Sequence, residues 1–335
     1  MAEQNEEGNT PIAVHTSDED SAYGDDMTDY AVSLSSSVQN YQWEHGRRYH
    51  SFREGVYQFP NDEREQDRLD MVHHMFRLAM NDKLHFAPLP PDPARILDVG
   101  TGTGIWAMEM DWKRPQPNSA PMVNSSFPAC RKSGNNADRV PPNVIFEVDD
   151  CESEWPNREP FDFIHSRYMA GSISDWPRYM RQAYEQTKEG GWVEFQDFDL
   201  NNYSEDNSIG ADNQVMELYR LLIEACDKAG RGCCPGRDLK KWVEEAGFKN
   251  VHHEVIRLPV GPWAKDMRLR QVGAFNLLQL LDGLEAFAIG PFTRMLDWSP
   301  ERVQTFLVGV REDAKLKSVH MMHELHVVYG QKLSY

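Results

Sequence analysis

At 335 residues, with 40% hydrophobic and 26% charged side chains, the chain is long enough for one large or two ordinary domains around a buried core. Its net charge of −18 excludes the basic face that phosphate contacts need, so no nucleic-acid partner is expected. No run of eighteen apolar residues occurs, no secretory pattern opens the chain, and the five cysteines include no CxxC pair. These features lead us to expect an intracellular protein, cytoplasmic or nuclear, with no membrane partner and no disulfide framework.

In chain order, residues 1–40 carry nine Asp/Glu, no Lys/Arg and no hydrophobic periodicity, which predicts a disordered acidic tail. Residues 41–90 should form an N-terminal helical cap. Within it Asp62 and Glu65 make a capping-box pattern, and Leu69, Val72, Phe76, Ala79 and Met80 fall on one helix face. After the connector "APLPPDP", strands "RILDVG", "NVIFEVDD", "FDFIHSR" and "GGWVEFQDF" alternate with helices at "IWAMEM", "DWPRYMRQAYEQT", 213–229 and 236–246. "FKNVHHEVIRLPV" and "HELHVVYGQKL" supply two more strands, with Trp192 in the sheet core. This alternation predicts an α/β, mainly parallel sheet with helices on both faces, a core spanning 91–261 and closing at 321–335. Residues 262–320 form a helical insertion, with "VGAFNLLQLLDGLEAFAIGPF" as a buried helix pair, and an insertion of that size shapes a substrate pocket.

The first strand ends in Asp98 and runs into Gly100-Thr101-Gly102-Thr103-Gly104 at the carboxyl edge of the sheet, where such sheets bind ligands. Ile105 occupies the position where a dinucleotide fingerprint requires its third glycine, and no GK[ST] ends a phosphate loop. The remaining readings are the E/D-x-G-x-G-x-G turn that holds S-adenosylmethionine (SAM), or a glycine-rich turn with no ligand. In the first, Asp98 orders the turn and the ammonium end of the ligand.

"GRRYHSFREGVYQFPNDEREQDRLD", "ILDVGTGTGIWA", "PPNVIFEVDD", "FDFIHSRYMAGSISDWPRYMRQAYEQTKEGGWVEFQDFD" and "VVYGQK" closely resemble fungal LaeA-like methyltransferases, over roughly residues 41–335. The resemblance implies a Rossmann-like class I methyltransferase sheet of seven strands whose last two form an antiparallel pair, with SAM as cofactor. Carried across, Asp98, Gly100, Thr101, Gly102 and Gly104 hold the cofactor. Asp149 and Asp150 stand at the acidic turn that reads the adenine amino group, Asp150 being preferred; a solvated turn is the alternative. Arg47, Tyr49 and Arg53 precede the sheet and are placed to fold over the cofactor and pair with its carboxylate, or to form a plain surface cluster.

Such relatives continue from the glycine turn through a helix to a strand whose final acidic residue accepts hydrogen bonds from the ribose hydroxyls. Here "DWKRPQPNSAPMVNSSFPACRKSGNNADRV" holds four prolines and no Asp or Glu between Asp111 and Asp138. Proline is excluded from a central ladder, so this segment is not expected to form that strand. Losing two charge-assisted hydrogen bonds, each about 1.5–3 kcal/mol, weakens a ligand by about a hundredfold or more. Either the segment has diverged, or the gene model is faulty here.

Methyl transfer from a sulfonium needs alignment, and a base only for a protonated acceptor. His165, beside Ser166 and Arg167, is the candidate catalytic base, against a structural histidine; Tyr168 and Asp197 are weaker candidates. "IHSRYMAG" lacks the D/N-P-P-Y loop of enzymes that methylate planar nitrogens. His320, His323 and His326 lack HExxH order, so no metal is expected. Three readings compete: a methyltransferase acting on a small molecule such as a secondary metabolite, a regulator working through protein partners, and a pseudoenzyme or faulty gene model.

Overall fold

The computed structural model describes residues 11–13, 42–49, 59–90, 93–112, 122–125, 144–148 and 150–334. A hairpin comes first, β1 (Gln42–Glu44) and β2 (Arg47–Tyr49), turned by His45 and Gly46 at φ +50° and +77°. Two positive φ values match the right-handed twist of a two-residue hairpin, so the cap opens as strand where the sequence pattern suggested helix only. Helix α1 (Glu63–Ala79) follows. The Asp62 side chain accepts from the Glu65 N–H at its N-terminus, and Val72, Phe76 and Ala79 are buried as their spacing requires. Arg47 ends against the same Asp62 carboxylate in a buried ion pair and ties the hairpin to the helix.

The core runs β3 (Ile96–Val99), α2 (Ile105–Trp112), β4 (Met122–Ser125), β5 (Ile145–Val148), β6 (Phe161–Arg167), α3 (Trp176–Gln186), β7 (Thr187–Tyr203), α4 (Gln214–Lys228), α5 (Leu239–Ala246) and β8 (Lys249–Pro259). Helices α6 (Met267–Met295) and α7 (Pro300–Ala314) then precede the final strand β9 (Met322–Gln331). Five strands are hydrogen-bonded in the order β3-β6-β7-β9-β8, parallel through β7, with β9 antiparallel to both neighbours. Strands β4 and β5 form a separate parallel pair, with β4 lying close beside β3 at the edge of the five-stranded sheet.

Strand β4 corrects the expectation for residues 111–140. Met122–Ser125 is a strand in register with Ile145–Val148. Pro121 stands just before it and Pro128 beyond it, so no proline interrupts the ladder. The missing acidic residue remains missing, because the strand closes on Asn124 and Ser125.

Alternation along the strands assigns the two faces of the sheet. Leu97, Val99, Ile164, Val193 and Phe195 pack under α3 and α5, and Ile96, Phe163 and Trp192 pack under α2. Burial of each such aliphatic or Phe side chain contributes roughly 1.5–3 kcal/mol. Phe198, Leu325 and Val327 continue the second face beneath α1 and α6. Helix α6 is one continuous helix of 29 residues, where a helix pair was expected. Asp282 is exposed, and Glu285 meets Arg64 and Arg311, so neither charge breaks it. By length and composition α6 could cross a membrane, but 72% of its most apolar window is buried inside the protein, as in a core helix. Part of the tail expected to be disordered is also docked. Ile12 donates its N–H to Glu205 and packs by Trp263, while Lys265 N–H donates to Ala13. Pro11-Ile12-Ala13 is an apolar triplet within the acidic tail, which gives it something to bury.

Glu194 anchors the connector after α1 to the sheet. Fully buried, it accepts from the N–H groups of Phe86 and Ala87 at 2.8 and 2.7 Å and from Gln196 at 2.7 Å. Burial pushes its pKa up to about 7, against the opposing pull of those hydrogen bonds. Between about pH 4.5 and 7 the folded chain therefore binds this proton more tightly than the unfolded one, and the stability from this group is lost as pH rises. Measured by urea unfolding, the stability of wild type relative to Glu194→Gln should fall from pH 4.5 to 7 and level off above. A pH-independent difference would contradict this assignment.

Candidate functional site

The cleft opens where β3, β6 and β7 end, roofed by α1, α4 and α6. Asp98 and His165 are direct register partners on β3 and β6. Their side chains meet at 2.7 Å between Oδ1 and Nδ1, at 2% and 0% exposure. Trp106, the second residue of α2, stacks on the imidazole at 3.7 Å and 2°, and its Nε1–H donates to Leu84. Burial lowers the His165 pKa, against the raising effect of Asp98, so the ring is neutral near pH 7. A neutral ring facing a carboxylate places its proton on Nδ1, donated to Asp98. The buried Nε2 has no hydrogen-bond partner.

Above this pair the chain turns through Gly100, Gly102 and Gly104, all at positive φ. A Cβ on Gly100 would lie 2.2 Å from Met169 Sδ, so a side chain there would have to displace the end of Met169 in addition to adopting a strained φ. Gly102 is different: a Cβ there would meet only Leu69 Cδ1, at 3.6 Å, and would project into open cleft. Thr101 Oγ1 is buried in the cleft wall with no hydrogen-bond partner. Thr103 Oγ1 donates to Asp70 of α1 at 2.6 Å, fixing the cap to the turn. A backbone cradle at Gly102, an orphaned hydroxyl and a carboxylate beneath fit a ligand with a polar amino-acid end and a nucleoside, as SAM has.

The far wall is aromatic and carries one polar strip. Phe59, Tyr168, Phe198, Tyr219 and Phe287 line it. Arg68 of α1, only 2% exposed, pairs with Glu65 and donates to Tyr168 Oη at 3.2 Å and Gln279 Oε1 at 2.8 Å. Its guanidinium also lies 4.9 Å from the Phe287 ring centre. Tyr168 sits at φ +60°, a backbone conformation an aromatic residue rarely adopts. It is held there from both sides: its N–H donates to Gln196 O, and the next N–H, of Met169, donates to Asp197 Oδ2 at 2.7 Å. Burial pushes the Asp197 pKa up to about 7. Arg167 lies over Phe76, bonded to His73 Nδ1 at 2.9 Å, and burial lowers its pKa to about 10. His73 is driven down to about 2 by burial and by Arg167 and Arg77, so it is neutral and accepts.

Of the sequence-derived candidates, Asp98, Gly100, Thr101, Gly102 and His165 line this one cleft. Gly104 stands behind it, against Phe146. Asp150 turns its oxygens to Glu152 N–H and Ser153 Oγ, at 3.0 and 2.8 Å, capping its own turn outside the cleft lining. Arg47 is committed to Asp62 and does not reach the cleft, in contrast to the expected carboxylate contact. Asp149 and Arg53 lie outside the described residues, as does the side chain of Tyr49. The three C-terminal histidines diverge: His320 bonds Asp206, His323 lines the cleft by Asn202, and His326 faces the other side of the sheet. Arg68, Glu65 and Gln279 were missed. The signal for Arg68 was a charge four residues before Val72 on the apolar stripe of α1.

A family profile described as a methyltransferase domain matches residues 71–253. Methyltransferase pytC of Aspergillus terreus is 44% identical over 307 residues, covering 92% of this chain and 93% of that protein. Secondary metabolism regulator LAE1 of Cochliobolus heterostrophus is 33% identical over 308 residues, covering 90% and 97%. Protein-methionine methyltransferase laeA of Emericella nidulans is 31% identical over 309 residues, covering 90% and 79%. With the β3-β6-β7-β9-β8 order and the glycine turn in place, this chain belongs to the methyltransferase family and is a SAM-dependent methyltransferase with a Rossmann-like class I sheet.

Proposed function

We propose that the chain methylates a small, largely apolar molecule of secondary metabolism that enters between α1, α4 and α6. The observation that carries this reading is the continuity of the glycine turn with an aromatic wall bearing one buried polar strip, Arg68–Tyr168–Gln279. Bound SAM supplies an electrophilic methyl on a sulfonium. Everything else is left to side chains of this chain. Gly102 leaves the backbone open beneath the ligand, and Asp98, with Oδ1 taken by His165, offers its carboxylate to the ammonium end. In this reading Arg167, a cation in the cleft lining, pairs with the cofactor carboxylate, the role expected of Arg47 from the sequence. His165 acts as a positioning residue in place of a base, since its ring is wholly out of solvent and stacked under Trp106, while its Nδ1 holds Asp98 beneath the turn. The aromatic wall excludes water and aligns a planar acceptor, the main contribution such a displacement asks of a protein. A second reading, a regulator with a protein acceptor or partner, draws on the names of the LAE1 and laeA relatives.

Gly102→Asp tests the cofactor site directly. Its φ of +58° strains any side chain by about 1–2 kcal/mol, but Asp is among the more tolerant residues and the space above is open, so the variant should fold with Tm lowered by a few degrees. Its carboxylate fills the cradle, and equilibrium dialysis with labelled SAM should show binding lost by at least a hundredfold. Retained binding would remove SAM from this cleft.

Ser125→Asp tests the missing ribose contact. It places an acidic residue at the end of β4, and SAM affinity should rise about tenfold for one new charge-assisted hydrogen bond. Unchanged affinity would mean the ribose is held from elsewhere.

A further inference from the structure

On the sheet face away from α1 and α6, three neighbouring strands bring unusual side chains together. Asp199 on β7 and Glu324 on β9 are direct register partners, so two carboxylates stand opposite each other across an antiparallel ladder. Like charges in that relation are destabilising unless a cation lies between them. His326, two residues along β9, joins them, and one donor atom from each of the three lies within 4.8 Å of the other two. Asp199 and His326 are 1% and 2% exposed. Asp199 Oδ1 is occupied by the N–H and Nδ2 of Asn201, which leaves Oδ2 for the cluster.

The histidine is the informative member. Its Nδ1 is fixed at 2.8 Å by Nε2 of His253 on β8, and its Nε2 is buried with no hydrogen-bond partner, 3.5 Å from Glu324 Oε2. A single proton bridges the two ring nitrogens in that hydrogen bond. When His326 holds that proton on Nδ1, the Nε2 lone pair faces two carboxylates. Gly236 packs flat on the His326 ring, where a Cβ would lie 2.5 Å from Cδ2, and the adjacent Arg237 reaches in from solvent. Arg237 contacts Asp199 and stands 3.6 Å from Glu324, yet its side chain is 61% exposed.

We propose that Asp199, Glu324 and His326 form a divalent-cation site of the zinc type, with Arg237 as a displaceable cation over its mouth and His253 as the residue that orients His326. One imidazole and two carboxylates suit Zn²⁺, whereas Ca²⁺ prefers oxygen ligands throughout. Tetrahedral zinc with bonds of about 2.0–2.1 Å needs donors roughly 3.3 Å apart. The His326–Glu324 separation is already close to that, and departure of Arg237 frees Asp199 to complete the third side. A hydrogen bond to the distal nitrogen is the usual second partner of a metal-binding histidine. Three protein ligands leave a position for water. The site lies apart from the cofactor cleft, but Asp197, two residues before Asp199, holds the Met169 N–H of the cleft loop, so metal would stiffen that support.

The test is calorimetric titration of the EDTA-treated full chain with Zn²⁺, alongside the visible spectrum of the Co²⁺ form. One equivalent of Zn²⁺ is expected, with Arg237→Ala binding about tenfold tighter and both His326→Gln and Glu324→Gln losing the stoichiometric site. The Co²⁺ form should show d–d bands that Glu324→Gln abolishes. Glu324 is only partly buried, so that variant remains readable if His326→Gln fails to fold. Absence of stoichiometric Zn²⁺ from both wild type and Arg237→Ala would overturn the proposal. So would binding indifferent to Arg237→Ala and Glu324→Gln, which would assign the ion to other histidines or cysteines.

Discussion

The Asp98–His165 pair is the contact on which the cofactor end of the molecule depends. It joins the ends of two parallel strands, lies fully out of water, and is closed from above by the Trp106 ring, itself the second residue of the helix that the glycine turn starts. A buried carboxylate is costly unless its hydrogen bonds are made. Here the partner is a neutral imidazole, so the pair holds the turn without adding a second buried charge. Removing either member would leave the other unsatisfied beneath the glycine turn.

A second support organises the aromatic side of the cleft. Asp197 fixes the loop after β6 through backbone N–H groups, and that loop holds Tyr168 in a strained conformation against Arg68. The strain is stored where the two halves of the cleft meet, the cofactor turn on one side and the aromatic wall on the other. Helices α1 and α6 close over both. In the proposed reading cofactor and acceptor share walls, and α1 touches both parts of the cleft: Asp70 on the glycine turn, Arg68 on the polar strip.

Much of this was legible in the sequence, because local pattern and fold agree. The strand-helix alternation from Arg95 onward, the G-x-G-x-G spacing and the buried face of α1 all follow from periodicity and from glycine's access to positive φ. The pairing of Asp98 with His165 was not legible, since it depends on register between strands 67 residues apart. Arg47 was read as a cofactor contact because a cation before the sheet has the right charge, but an N-cap carboxylate one hairpin away captured it. Strand β4 was missed because four prolines dominate the composition of a long segment, while the ladder needs only four of the residues between Pro121 and Pro128. Helix α6 was split in two on account of Asp282 and Glu285, which lie on its outer side.

The central claim is that the glycine turn over Asp98 and His165 holds SAM even though β4 ends without an acidic residue. Calorimetric titration of the wild-type chain with S-adenosylhomocysteine tests it most directly. We predict a single site of micromolar affinity, with the product displaced competitively by SAM. A folded chain that gives no binding heat and no thermal shift at millimolar product would contradict the account.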